Sequence, residues 1–230
     1  MMETASWRTG ANGRKFIASF SGGKDSVLAL YKSMKVGDAI GLIVMMEEEG
    51  KRSRSHGMPP ELIRAQAESI GLPVYAAAAS WDDYEREFMA LLERAGRQGA
   101  EALVTGDLDM PVDNCWHDKV TRNAGLHLGM PLWEMDHLEA VSEFIDLGFI
   151  ATLVTVNLSL GMWEEDLGRT LTRDYVKELQ ARGIDPCGEG GEFHTTVTDG
   201  PLFNHPIPVR QGSIVRTGEY AFLPLELADA

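Results

Sequence analysis

Apolar runs of strand length alternate with amphipathic stretches through the first half of the chain. Phe16 to Phe20 is a short buried run, and Val27, Leu28, Leu30, Tyr31 and Met34 then recur on one helical face. Ala39 to Met46 is continuously apolar, as in a parallel strand covered on both faces. Met58-Pro59-Pro60 opens a helix through Ile63, Ala67 and Ile70, with Gly71 as its stop. Pro73 to Ala78 is the next strand, and Ser80-x-x-Asp83 caps a helix that buries Trp81, Tyr84, Phe88, Leu91 and Leu92. Ala102 to Thr105 is a further strand, and Trp116 to Asn123 a helix stopped by Gly125. This rhythm predicts an α/β fold built on a doubly wound parallel sheet. Past Trp133 the pattern restarts, with helices over 138–145 and 172–182, strands over 149–156 and 193–197, and a hairpin around Thr217-Gly218. A second, smaller α/β domain follows, giving expected domains of 14–135 and 136–230. Met1 to Gly13 reads as a loose polar extension.

Doubly wound sheets bind ligands beyond the carboxyl ends of their strands. The loops at Ser21, from Glu47 to His56, near Ser80 and at Gly106-Asp107 all fall there. The first is Ser21-Gly22-Gly23-Lys24-Asp25-Ser26, directly between a strand and a helix. Its glycines permit close backbone approach, the helix N-terminus offers unpaired N–H groups, and Lys24 adds charge, a combination suited to phosphate. A Walker A loop would need glycine at Ala18 and Ser or Thr at Asp25, and G-x-G-x-x-G spacing is absent. S-G-G-x-D-S after a strand resembles the signature of the PP-loop ATP pyrophosphatases, a fold of the adenine nucleotide α-hydrolase-like type. A capped glycine turn is the alternative for such a loop in isolation.

Composition narrows the partners. The formal net charge is −14, from 21 basic and 35 acidic side chains, which counts against a broad nucleic-acid surface. Two cysteines, Cys115 and Cys187, form no C-x-x-C pair, so a zinc site is not expected and a reducing compartment fits. With no apolar run long enough to span a bilayer and no signal-peptide core, the expected location is cytoplasmic, without membrane association.

A second constellation lies near the end: Cys187-Gly188-Glu189-Gly190-Gly191-Glu192-Phe193-His194-Thr195. Glu189 and Glu192 can hold Mg²⁺, orient an amine or act as bases; a glycine-rich turn with solvated acids is the alternative. His194 can shuttle a proton or serve as hydrogen-bonded structure. Cys187 reads as a small turn residue, and Trp81, Trp116, Trp133 and Trp163 as packing anchors.

S-G-G-K-D-S with C-G-E-G-G-E-F-H-T and D-G-P-L-F (Asp199 to Phe203) resembles the diphthine–ammonia ligase family and its bacterial-type relatives. His56-Gly57-Met58-Pro59, Gly71-Leu72-Pro73, Thr105-Gly106-Asp107, Pro131-Leu132-Trp133 and Leu167-Gly168-Arg169 match further family segments in order. The resemblance covers about residues 15 to 225. It implies an AMP-forming carbon–nitrogen ligase: ATP cleaved to AMP and pyrophosphate, a carboxylate activated as an acyl-adenylate, and amidation by ammonia.

Carried onto this sequence, Ser21, Gly22, Gly23, Lys24, Asp25, Ser26, His56, Gly106 and Asp107 would bind nucleotide. Asp25 would hold Mg²⁺, and Lys24, Asp25, Glu189, Glu192 and Thr195 would form the catalytic set. The implied partners are ATP, ammonia and a carboxylate on a small molecule or protein, which in archaea and eukaryotes is diphthine on elongation factor 2; a homodimer is among the assemblies expected. Two departures fall where, on this resemblance, substrate choice would be set. Glu47 to Ser55 lacks the family's aromatic and methionine residues, and Thr121 stands in place of a common cysteine. The alternatives are a tRNA-modifying enzyme using the same adenylation chemistry and a non-catalytic ATP sensor.

Overall fold

The computed structural model describes residues 4–54 and 56–228; Met1–Glu3, Ser55, Asp229 and Ala230 lie outside the described residues. The chain divides into two compact units, the first comprising residues 1–21, 25–51 and 72–134 and the second residues 22–24, 52–71 and 135–230.

The first unit is built on five parallel strands: β1 (Lys15–Ser19), β2 (Asp38–Met46), β3 (Val74–Ala78), β4 (Ala102–Val104) and β5 (His127–Gly129). Their order is β3-β2-β1-β4-β5. Pairing runs from the middle outward, Ala18 lying between Leu42 and Val104. The strands of β1 and β2 are apolar on both faces because helices cover them, as the unbroken hydrophobic runs require. On one face α4 (Tyr84–Arg97) and α5 (Trp116–Asn123) pack Phe88, Leu91, Leu92 and Val120 against Ile17, Ile43 and Leu103. The order of strands reverses between β1 and β4, so the loops leaving these two strands flank the topological switch point.

Several sequence expectations change here. The N-terminal segment is not a loose extension. A short helix, α1 (Thr4–Trp7), buries Trp7 against Leu128, Met130, Cys115 and Trp133. The Trp7 carbonyl accepts the Met130 N–H at 2.7 Å, and Gly10 lies so close to the Leu128 carbonyl that no side chain fits. Trp81 is 76% exposed rather than buried, because the helix begins three residues later and leaves it on the preceding turn. Ser80 and Asp83 bond each other there, but no side chain caps α4. Met34 is also exposed, and Ser33 takes the buried position instead. β5 was not anticipated; three residues are too few to show a period.

The second unit contains α3 (Pro60–Ile70), α6 (His137–Asp146), α7 (Arg173–Ala181) and a four-stranded antiparallel sheet. Its strands are β6 (Ile150–Asn157), β7 (Phe193–Asp199), β9 (Val215–Thr217) and β10 (Tyr220–Phe222), in the order β7-β6-β10-β9. β8 (Val209–Gln211) and β11 (Leu225–Leu227) pair separately, so the expected terminal hairpin is two nested pairs. Thr172 caps α7 by accepting the Tyr175 N–H. Asp166, 1% exposed, accepts hydrogen bonds from both terminal nitrogens of Arg182 and from the Trp163 N–H. Burial raises the Asp166 pKa, but these bonds outweigh it and hold the carboxyl below its ordinary value. Trp163 is exposed and stacks beneath Arg182 at 3.8 Å, a cation–π lid rather than a core anchor. Among the described residues, no helix is long and apolar enough to cross a membrane.

Candidate functional site

β1 ends at Ser19, and the Phe20 N–H still pairs with the Ile43 carbonyl. Gly22 then takes a left-handed φ of 73°, which turns the chain into α2 (Lys24–Met34). Ser21 Oγ donates to Ser26 Oγ at 3.1 Å, so the two loop serines brace the first helical turn. Asp25 stands in that turn, partly exposed. Lys24 is buried at 5% exposure, its Nζ 5.5 Å from the centre of the Phe193 ring.

The loop segment 22–24 lies on β7. Lys24 N–H donates to Thr195 Oγ1 at 3.1 Å, and Val197 N–H donates to the Gly22 carbonyl at 3.0 Å. Thr195 therefore accepts, from 171 positions away, the first N–H of α2. Its carbonyl accepts from His56 Nδ1 at 2.7 Å; a carbonyl oxygen can only accept, so Nδ1 carries the proton. Gly23 is held beneath the His56 ring and the Thr195 carbonyl, where a Cβ would overlap both. The structure thus brings Gly22, Gly23, Lys24, His56 and Thr195 together.

His194 stacks at an angle on His56, ring centres 4.8 Å apart. Burial, then the neighbouring His56 and Lys24 charges, lower its pKa from 6.5 to about 3, so its imidazole stays neutral at physiological pH. The unfolded imidazole takes its proton near 6.5 and the folded one near about 3. Between these values the unfolded state binds more protons, and stability falls as pH drops. Replacing His194 with Asn is expected to remove about 2 kcal/mol of the stability lost between about pH 7 and about pH 5. Urea unfolding at both pH values measures this, and equal slopes for the two proteins would refute it.

In the first unit, Gly106 follows β4 and abuts the start of α2. A Cβ on Gly106 would stand 2.7 Å from Asp25 C and 2.8 Å from Ser26 N. Beside it, Thr105 Oγ1 is buried with no hydrogen-bond partner among the described residues. Asp107 lies 3.6 Å from His117 Nδ1, outside hydrogen-bond range but close enough to pair when the imidazole is protonated.

The two glutamates differ. Glu189 is exposed on the turn before β7, its N–H bonded to Asp185. Glu192 is partly buried, and its Oε2 has no hydrogen-bond partner among the described residues. That atom is an acceptor held without a donor, as a site for a cationic or protonated group would present it. Cys187 is buried and its thiol donates to the His137 carbonyl, a structural role.

Gln66 was missed by the sequence reading. It is fully buried on α3, and its Nε2 donates to the Gly22 carbonyl at 3.1 Å and the Val197 carbonyl at 2.7 Å. One signal was available: Gln66 and Ser69 interrupt the apolar face formed by Leu62, Ile63, Ala67 and Ile70. A polar side chain at a core position needs a partner, and here the partner is the loop.

Two family models match nearly end to end: diphthamide synthase N-terminal domain over residues 14–128 and diphthamide synthase C-terminal domain over residues 136–228. The chain belongs to the diphthamide synthase family. Among curated relatives, the diphthine–ammonia ligase of Schizosaccharomyces pombe is 27% identical over 92% of this chain and 39% of its own length. That of Saccharomyces cerevisiae is 27% identical, over 83% of this chain and 34% of its own length. The chain thus spans well under half of these fungal relatives, whereas it covers 92% of the Danio rerio protein at 24% identity. A solved structure described as a predicted subunit of tRNA methyltransferase from Methanocaldococcus jannaschii aligns at 17% identity with a TM-score of 0.44, over 81% of this chain and 98% of that one. That likeness is too slight to inform function. Within this diphthamide synthase family member, Thr121 is buried and donates to the His117 carbonyl at 2.8 Å, closing on its own helix.

Proposed function

We propose that this protein is an ATP-dependent, AMP-forming amide ligase of the diphthine–ammonia ligase type. The observation that carries the reading is the bond from Lys24 N–H to Thr195 Oγ1. It joins the phosphate-type loop to the Gly-Glu-Phe-His-Thr segment, the two stretches that core packing alone does not require.

On this reading residues 14–135 bind nucleotide and residues 136–230 carry the acceptor. The Lys24 ammonium and the positive end of α2 face the phosphates and stabilise the pyrophosphate as it leaves the α-phosphorus. The acceptor carboxylate takes its place as an acyl-adenylate, and ammonia displaces AMP to give the amide. Thr195 holds the loop backbone, while Glu192, with its unpartnered oxygen, orients the ammonium and takes a proton from it. Neutral His194 adds no competing positive charge. Glu189 remains a candidate for the acceptor side. Ser21, Ser26, Gly106 and Asp107 of the first unit, and His56 of the second, are the further residues we assign to nucleotide.

No group of three or more metal-ligating side chains occurs among the described residues. Mg²⁺ in a nucleotide site needs as little as one carboxylate plus substrate phosphates, and Asp25, partly exposed in the first turn of α2, is the carboxylate we assign to it. Bound there, Mg²⁺ would supply charge neutralisation on the polyphosphate.

Product analysis tests the reaction class. With ATP, ammonium and a panel of carboxylate acceptors including diphthine-modified elongation factor 2, AMP and pyrophosphate are expected in equal amounts. ADP and phosphate would overturn the reading.

A further inference from the structure

Gln66 does more than fill the core of the second unit. Its amide presents both N–H donors to carbonyls of different segments, Gly22 in the loop and Val197 in β7. The Gly22 carbonyl accepts a second bond from Val197 N–H at 3.0 Å. The amide orientation is fixed, because a flip would set Oε1 against two carbonyl oxygens. Oε1 itself is buried without a hydrogen-bond partner, so the side chain tolerates an unpaired acceptor to keep both donors engaged. Gly22 is correspondingly constrained: a Cβ on it would overlap Gln66 Oε1 and Met58 Cε, and its φ is left-handed.

We infer that Gln66 is a positioning residue, a latch from α3 that ties the Gly22 carbonyl to β7 and thereby holds the loop in its ligand-ready form. The alternative peptide orientation at Gly22 would point the following N–H groups elsewhere. Thr195 fixes the loop at Lys24 and Gln66 fixes it at Gly22, one residue on either side of Gly23. With both ends held, the phosphate-facing amides need no ordering when ligand arrives, which favours affinity. The consequence for ATP rests on the ligase reading; the latch itself does not.

The variants are Gln66→Met, which keeps the volume and removes both donors, and Gln66→Asn, one methylene too short to reach both carbonyls. Amide exchange read by mass spectrometry is the first measurement, on the otherwise unaltered chain. Peptides covering 20–26 and 193–199 are expected to exchange at least about tenfold faster, while β1, β2 and β4 keep their protection. Inorganic pyrophosphate is expected to bind about tenfold more weakly, since only the latched fraction of the loop is competent. In turnover, KM for ATP rises by about the same factor with kcat within about twofold.

Unchanged exchange in 20–26 would overturn the latch. So would exchange that rises across both units with kcat falling in step, or failure of both variants to fold, since each shows a core role only. Absence of AMP formation in the unaltered protein would instead sink the ligase reading, and the exchange result would stand apart from it.

Discussion

Lys24→Ala is expected to lower AMP formation about a thousandfold while leaving the protein folded. A single preorganised group aimed at developing charge is worth roughly 10²–10³ in rate, and Lys24 is a cation held in the interior, where screening by water is weakest. The loop backbone does not depend on the ammonium: its Lys24 N–H stays on Thr195 and its Gly22 carbonyl on Gln66 and Val197. The thermal midpoint should therefore move little as activity disappears. Initial-rate measurement of AMP release, paired with a melting curve, checks both halves. Undiminished turnover would remove Lys24 from the chemistry.

Gly106→Ala should be nearly as damaging by another route. The added Cβ would meet the backbone of Asp25 and Ser26 at 2.7–2.8 Å. Backbone at the start of a helix cannot rotate away as a side-chain tip can. Overpacking of this kind costs about 2–3 kcal/mol, which for a chain of this size is a midpoint shift of roughly 4–12 °C. Relief requires α2 to shift its first turn, and the loop amides with it. Nucleotide binding should fall by at least about tenfold on top of the stability loss. Calorimetry of ATP binding at a temperature where the variant is folded separates the two effects. An unaltered midpoint would mean that the approach of β4 to α2 is looser than the structure has it.

The parallel sheet and its order of elements were legible because their signals are local. Ala39 to Met46 is too uniformly apolar for anything but a covered strand, and the proline and glycine flanking α3 mark its ends from sequence alone. Misplaced elements are those whose burial depends on distant partners. Trp7 looked like part of a loose extension because β5, which covers it, is three residues long and shows no period. Trp81 and Trp163 looked like anchors because each sits beside a periodic or strand-end pattern, yet Trp81 falls on a turn before α4 and Trp163 on extended backbone before a short 3-10 helix.

The candidate site divides in the same way. Strand, glycine turn and helix N-terminus at Ser21–Ser26 are a local motif, so the form of the loop could be read directly. The meeting of Lys24 with Thr195, and of Gly22 with Gln66 and Val197, could not be read. Backbone carbonyls recur at every position and N–H groups at all but proline, so Gln66 on the apolar face of α3 signals that a partner is needed but not which one.

What the sequence determined by itself was the fold class and the strand–turn–helix form of the loop, since helix and strand periods and turn residues act over a few neighbouring positions. Only the tertiary structure decided what holds that loop in shape. The loop's anchors lie on α3 and β7, and elements brought together across 171 positions are chosen by the burial of whole faces, a property of the folded chain and not of any stretch within it.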